Sequence, residues 1–327
     1  MTIRQVKRAH VLSVVAVAAL TLSACGGQNN GSGSESGGEQ LSGPVVIDGS
    51  STVEPLSIAA AELFMEKNSG VQVSVSASGT GGGFKKFCVG ETDISDASRP
   101  IKDEEKKTCT EKNISFSELQ IANDALTVVV NKENTWAQCL TVAQLKKIWE
   151  PDSKVANWKE VDPSFPDQKL DLYGAGADSG TFDYFTGAIN GKEGASRKDY
   201  NPTENDNITV QGVSGSKGGL GYFGFSYFEE NADKLKAVKI DGGKGKGCVE
   251  PSVKAAQDGS YAPLARPLFI YPSDAGLKKA QVEKFVEFYL ANNDEIVKAA
   301  RFVPLTEDQK KKAKDELATL QAKAGGK

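Results

Sequence analysis

The sequence predicts an α/β protein with mostly parallel sheets flanked by helices, on three observations. Short buried-type apolar runs (Val45-Val46-Ile47, the alternating Val71, Val73 and Val75, Ala125 to Val130, and Leu170 with Leu172) alternate with stretches whose apolar residues recur at helical spacing. Three strand-to-helix joins, Ser50 to Val53, Ser78 to Gly83 and Asp178 to Thr181, are rich in Ser, Thr and Gly. The chain has 327 residues, 39% hydrophobic and 25% charged, enough to bury one or two substantial cores. In open α/β sheets ligands bind beyond the carboxyl ends of the strands, where those three joins fall.

Residues 1–24 stand apart from the folded body. Arg4, Lys7 and Arg8 precede the apolar run Val11 to Leu22, which at about 12 residues is shorter than the roughly 20 of a membrane span. The pattern reads as an export signal. Its ending, Leu22-Ser23-Ala24-Cys25, resembles the lipobox of bacterial lipoproteins, which implies that Cys25 becomes a lipidated (palmitate-bearing) N-terminus. The following stretch through residue 43 is mostly Gly, Ser, Gln, Asn and Glu and is expected to be a flexible tether.

Of the 39 Lys and Arg, three lie in the leader, so the mature chain carries 36 against 43 Asp and Glu. That acidic excess of seven, without a basic block, disfavours nucleic acid as a partner. His10, the one histidine, is lost with the leader, which removes Ser-His-Asp and Cys-His catalysis and every histidine-based zinc site. Neither a metal nor another cofactor is expected. Cys88, Cys109, Cys139 and Cys248 show no C-x-x-C spacing and suit two disulfides of an exported protein, with three connectivities open.

The body begins at Pro44. After the first strand comes Asp48-Gly49-Ser50-Ser51-Thr52-Val53, then Leu56, Ala60, Leu63 and Phe64 at helical spacing. Ser51 with Glu54 fits a capping box, and Pro55 suits a first turn. The second strand runs into Ser78-Gly79-Thr80-Gly81-Gly82-Gly83. This is neither a Walker loop, lacking Gly-Lys-Ser/Thr, nor a dinucleotide fingerprint, since Phe84 stands where its last glycine should be. In Asp93-Ile94-Ser95-Asp96-Ala97-Ser98-Arg99-Pro100, Pro100 holds Arg99 in extended surroundings beside a loop mouth. Ala125 to Val130 is a continuous apolar strand. Leu140 to Trp149 is a helix pattern stopped by Pro151, with Trp149 and Trp158 as packing residues.

In Tyr173 to Phe185 a glycine turn opens into an amphipathic helix. Asp178 can cap that helix, and Ser179, Gly180 and Thr181 bring unsatisfied N–H groups, two hydroxyls and the positive end of a helix dipole to one point. An oxyanion can be held there without a cationic side chain. The glycine-dense passage Val210 to Phe228 places Lys217 near a possible anion. Ala265 to Pro272 is a second buried-type strand, and helical segments from Ala275 onward break near Asn292 and Pro304.

Asp-Gly-Ser-Ser-Thr-Val, Ser-Gly-Thr-Gly-Gly-Gly, Ala-Ser-Arg-Pro and Asp-Ser-Gly-Thr, in this order from Val45 to about Pro272 of an exported lipoprotein, resemble the phosphate-binding protein of ABC-type phosphate importers. The resemblance implies a two-lobed periplasmic-binding-protein clamshell with two hinge crossover strands, assigned to Ala125–Val130 and Leu268–Tyr271. Residues 44–124 with 268–327 would form lobe I and 125–267 lobe II, so that Cys88–Cys109 and Cys139–Cys248 are the favoured disulfides, each within one lobe. It further implies no catalysis, a monomer lipid-anchored to the outer face of the bacterial membrane, and permease subunits as partners.

Carried across, the phosphate contacts fall on Thr52 and Val53 beside Ser51, on Thr80 or Ser78, on Ser98, and on Ser179, Gly180 and Thr181 after Asp178. Two departures stand out. Ser98 occupies the place of the family's aspartate, and Ala175 that of its arginine. Arg99 is therefore expected to supply the guanidinium, and Asp96 or Asp178 to accept the proton that phosphate carries and sulfate lacks. The alternatives are a receptor for sulfate, molybdate or tungstate, a secreted phosphomonoesterase, or an adhesin or signalling lipoprotein on the same fold.

Overall fold

A computed structural model describes residues 40–177, 179–243 and 245–325. Cys25 and Asp178 lie outside the described residues. Twelve strands follow in chain order among them: β1 (Gly43–Gly49), β2 (Val71–Ser76), β3 (Ile94–Ala97), β4 (Leu119–Asn131), β5 (Cys139–Thr141), β6 (Asp171–Ala175), β7 (Asn201–Thr203), β8 (Gly219–Gly224), β9 (Leu235–Ala237), β10 (Lys239–Asp241), β11 (Cys248–Val249) and β12 (Ala265–Pro272). The helices are α1 (Glu54–Lys67), α2 (Thr80–Phe87), α3 (Asp103–Glu111), α4 (Val142–Trp149), α5 (Trp158–Val161), α6 (Gly180–Asn190), α7 (Asp206–Gly215), α8 (Phe225–Glu230), α9 (Val253–Gln257), α10 (Asp274–Leu277), α11 (Ala280–Ala291), α12 (Asn293–Ala299) and α13 (Glu307–Ala324).

The fold is two-lobed. Strand order β2-β1-β3-β12-β4-β8-β6-β7, with β9 also on β4, makes one continuous sheet. Its pairing is parallel inside each lobe (β1 with β2 and β3; β6 with β7 and β8) and antiparallel where β12 and β4 meet each other and their neighbours. The sheet is thus mixed, because the two strands that carry the chain between lobes run opposite ways. Leu119 to Ala125 of β4 pairs with β12, and Leu126 to Val130 pairs with β8. The second sheet, β11-β10-β5, is small.

Each lobe closes its own core. In the first, Val45 and Ile47 of β1 and Val71 and Val73 of β2 turn inward, and α1 lays Leu56, Ala60 and Phe64 on them opposite Phe285 and Tyr289 of α11. Each fully buried Val, Leu, Ile or Phe side chain here contributes about 1.5–3 kcal/mol. In the second, Trp149, Phe185 and Tyr222 pack mutually, with Phe185 and Tyr222 stacked at 3.8 Å between centroids. Trp149 and Trp158 are both core residues.

Cys88 is bonded to Cys109 and Cys139 to Cys248. The first bond ties the end of α2 to α3, and the second ties β5 to β11. Three local expectations are corrected. The stretch from Leu140 opens with β5 rather than helix, and α4 starts after Thr141, whose hydroxyl caps it by accepting from the Gln144 amide at 3.1 Å. No Ser51–Glu54 capping box forms. The Val53 and Glu54 amides instead donate to the carbonyl of Ser50, each at 3.0 Å, and Ser50 Oγ accepts from the Thr52 amide at 3.2 Å. The cap of α6 is Ser179, whose Oγ accepts from the Thr181 amide at 3.1 Å.

Candidate functional site

β1 ends by turning back over β3. Gly49 adopts φ +154, and a Cβ there would lie 2.1 Å from the Asp96 carbonyl oxygen, so only glycine fits this crossing. The turn leaves the Ser50 amide donating to that same carbonyl at 2.9 Å, and it presents Ser51 and Thr52 at the lobe edge. Val53 is fully buried, with its amide spent inside the turn.

β2 leads into the second loop. The Ser78 amide donates to Asp48 Oδ1 at 3.2 Å, its hydroxyl donates to the same oxygen, and Lys86 pairs with Asp48 Oδ2. These donors hold the Asp48 carboxyl below the usual range despite its burial. Ser78 is therefore occupied in shaping the loop, and the hydroxyl that reaches the cleft is that of Thr80. Thr80 Oγ1 accepts from the Ser98 amide at 3.2 Å and lies 3.2 Å from Ser98 Oγ.

From the other lobe, α6 points its N-terminus at the same edge. Gly180 packs so closely on Thr52 that a Cβ would fall 2.9 Å from Thr52 Oγ1 and 3.2 Å from the Thr52 backbone. The first-lobe turns at Ser50 and Ser78 and the second-lobe start of α6 thus meet. Between them lies a cavity of about 30 Å³ lined by Ser50, Ser51, Thr52, Gly79, Thr80 and Ser98 from one side, Asp183, Tyr184 and Glu193 from the other, and Arg266 at the hinge. A cavity of this size suits a compact ligand better than a sugar or a nucleotide.

Arg266 sits on β12. Its Nη2 donates to Thr52 Oγ1 at 2.9 Å, its Nε donates to Asp124 Oδ2 at 3.2 Å, and its guanidinium stacks 3.5 Å from the centroid of the Tyr184 ring. One side chain thereby touches the first lobe, the β4 crossover and the second lobe. Arg99 stands outside that lining, near Glu193. It makes a two-pronged pair with Glu105 at 2.7 and 2.9 Å, donates to the Pro100 carbonyl at 3.1 Å, and does not line the cavity. The hydrogen bonds from Arg99 to Glu105 raise the guanidinium further above its ordinary value.

Asp96 is fully buried and faces α1 rather than the cavity. It accepts one hydrogen bond, from Ser57 Oγ at 2.9 Å, and its Oδ2 has none. Burial pushes its carboxyl up to about 7, and the nearby Glu54 and Asp48 carboxylates add to the shift. Asp183 is raised by burial and by the Glu193 carboxylate, with Arg266 opposing. Asp124 is raised by burial even beside Arg266. Lys217 is exposed and away from the cleft. Among the described residues no group of three or more His, Cys, Asp or Glu could hold a metal ion.

Of the residues the motifs single out, Ser51, Thr52, Thr80 and Ser98 line this cavity; Ser179, Gly180 and Thr181 do not, and Gly180 packs against Thr52. The motifs do not point to Arg266, Asp183, Tyr184 and Glu193. Arg266 carried a usable signal: an arginine inside the otherwise apolar run Ala265 to Pro272 must find a buried partner.

The model of the PBP superfamily domain matches residues 34–293. The chain belongs to that superfamily. It is 52% identical over 263 residues to Protein SphX of Synechococcus elongatus, spanning 80% of this chain and 77% of that one. To the phosphate-binding protein PstS of Staphylococcus epidermidis it is 40% identical over 301 residues, spanning 92% and 90%. A crystal structure described as a possible phosphate binding protein from Planctomyces limnophilus superposes with a TM-score of 0.83 at 50% identity, covering 86% of this chain and 99% of that one. As a superfamily member the chain shares their two-lobed architecture, with the cavity at the lobe junction.

Proposed function

We propose that this protein is a receptor for inorganic phosphate that closes its lobes around the anion and presents it to the permease of an ABC-type importer. The observation that carries the reading is the compact interlobe cavity, where the Arg266 guanidinium meets the side chains of Ser51, Thr52, Ser98 and, at the start of α2, Thr80, with the start of α6 packed against Thr52. Each helix terminus favours an anion by up to about 1 kcal/mol exposed and about 2 kcal/mol when partly buried. The name of the staphylococcal relative, a phosphate-binding protein, supports phosphate over other oxyanions.

In this reading Ser51, Thr52, Thr80 and Ser98 line the first-lobe half, with Val53 and Ser78 as supports of their loops. Ser179, Gly180 and Thr181 bring the second-lobe half, and Arg266 supplies the charge. Binding contacts made to both lobes favour the closed state over the open one. The lobes comprise residues 44–124 with 268–327 and residues 125–267. Lipidation at Cys25 would keep the receptor on the outer face of the membrane beside its permease. Among the described residues no helix is long and apolar enough to cross a membrane.

Native mass spectrometry of the freshly purified protein, followed by calorimetry with phosphate, sulfate and molybdate, tests the proposal. A retained phosphate and a phosphate preference are expected. Equal binding of sulfate, or turnover of a chromogenic phosphate ester, would sink it.

A further inference from the structure

A second set of contacts joins the lobes away from the anion cavity. Residues 300–304 leave α12 in the first lobe and run along the hinge. Val303 exchanges both backbone hydrogen bonds with Asn123 of β4, each at 2.9 Å, and its side chain packs with Ala125, Phe225 and Ala256. The Pro304 carbonyl accepts from Gln257 of α9 at 2.9 Å. Val303 and Pro304 are thus seated on both lobes. Arg301, just before them, adopts φ +60, a left-handed conformation that a long side chain rarely takes without a compensating contact.

That contact is on the other lobe. Arg301 Nη1 donates to Glu230 Oε2 at 3.2 Å, and the guanidinium lies 5.4 Å from the centroid of the Tyr227 ring, both residues being on α8. Arg301 also lines a chamber of about 200 Å³ together with Asp206 of α7 and Thr181 of α6. The groove beside it sets Glu229 and Glu230 of α8 against Lys298 and Arg301, with Asp294 next to them. Opposite charges therefore face each other across the junction. Because β6 and β8 run parallel, α8 starts from the same sheet edge as α6, where Gly180 meets Thr52. Gly224, at the start of α8, pairs with Leu126 at the hinge, and Glu230 ends that helix, a rise of about 9 Å further on. A hydrogen bond that far from the pivot breaks when the lobes part, whereas the Val303–Asn123 pair at the pivot is kept.

We propose that Arg301 is a positioning residue for phosphate capture, clasping α8 through Glu230 and Tyr227 when the lobes are together and so holding the anion without touching it. This rests on the phosphate-receptor reading and adds to it a residue that sets how long the closed form lasts. A contact made in the closed form alone raises its population, and the anion leaves when that form opens. Both side chains are half exposed, 54% each, so the clasp is a rim contact that salt screens.

The test is calorimetry with phosphate and stopped-flow measurement of phosphate release on the full chain, at about 20 mM and about 500 mM salt. The variants are Arg301→Glu, Glu230→Arg and the double variant Arg301→Glu/Glu230→Arg. Each single reversal sets like charges against each other and should weaken phosphate binding about threefold to tenfold, mainly through faster release. The double variant restores the pair with its sense exchanged and should return affinity to within about twofold of wild type. High salt should shrink these differences.

Single reversals that leave affinity and release unchanged would overturn the clasp while leaving the receptor intact. So would a double variant no better than its weaker parent, or single variants that lower the melting temperature without changing release. Absence of phosphate binding by the wild type would overturn the receptor reading and the clasp together.

Discussion

Replacing Arg266 by Ala is the sharpest test of where the site's charge resides. The guanidinium is 15% exposed, and its partner Asp124 is 7% exposed. A unit charge about 4 Å from an anion is worth roughly 4 kcal/mol at an effective dielectric near 20. Truncating one partner of a buried, hydrogen-bonded charge pair costs about 2–5 kcal/mol. Taking about 3 kcal/mol, phosphate affinity should drop on the order of a hundredfold.

Stability changes by a separate route, because Asp124 is left buried without its cation, a loss of about 3–5 kcal/mol at most. The true cost is smaller, since the Asp124 carboxyl is already pushed up and can take a proton. Arg266→Ala with Asp124→Asn should therefore recover melting temperature without recovering affinity. Calorimetry with phosphate and thermal unfolding read the two quantities. Arg99→Ala is the control: its pair with Glu105 is one-third exposed and contributes about 0–1 kcal/mol, so affinity should stay within about threefold of wild type. If Arg99→Ala abolishes binding and Arg266→Ala keeps it, the charge has been placed on the wrong arginine.

Two further outcomes follow from the same geometry. Gly180→Ala would put a Cβ 2.9 Å from Thr52 Oγ1 across the lobe junction; overpacking of about 1–3 kcal/mol falls on the closed form, so affinity should fall about tenfold while the melting temperature changes little. Asp96 has a folded-state value raised to about 7, so its stabilising contribution is full below the unfolded carboxylate value near 4 and is lost as pH rises to about 7. Asp96→Asn should flatten that part of a melting-temperature profile and raise stability at pH 8, and an unchanged profile would show that Asp96 is not the group responsible.

Local sequence determined the scaffold of this protein because its signals act over a few residues. Alternating valines at 71, 73 and 75, the apolar run at 125–130 and glycine-rich joins after strands specify strand, crossover and loop through pleat, burial and φ. The same short range made Thr52, Thr80 and Ser98 legible as a wall of hydroxyls, and made the two disulfides inferable once the lobes were drawn. Caps were less legible. Ser51–Glu54 satisfied the capping pattern, yet the β1–β3 crossing at Gly49 turned the chain so that Ser50 took that task.

What only the tertiary structure decided is which charged groups face the cavity. Arg99 and Arg266 are indistinguishable by type, and their roles depend on what lies across from them. Glu105, six residues away, captures Arg99, while the antiparallel pairing of β12 with β4 carries Arg266 to Asp124 and Thr52, 142 and 214 residues distant in the chain. Asp96 sits between two cleft-facing loops but points into the first-lobe core, because successive side chains of a strand point to opposite faces. Coulomb energy depends on separation in space, and separation in space at a lobe junction is set by strand order and register, which no local motif encodes.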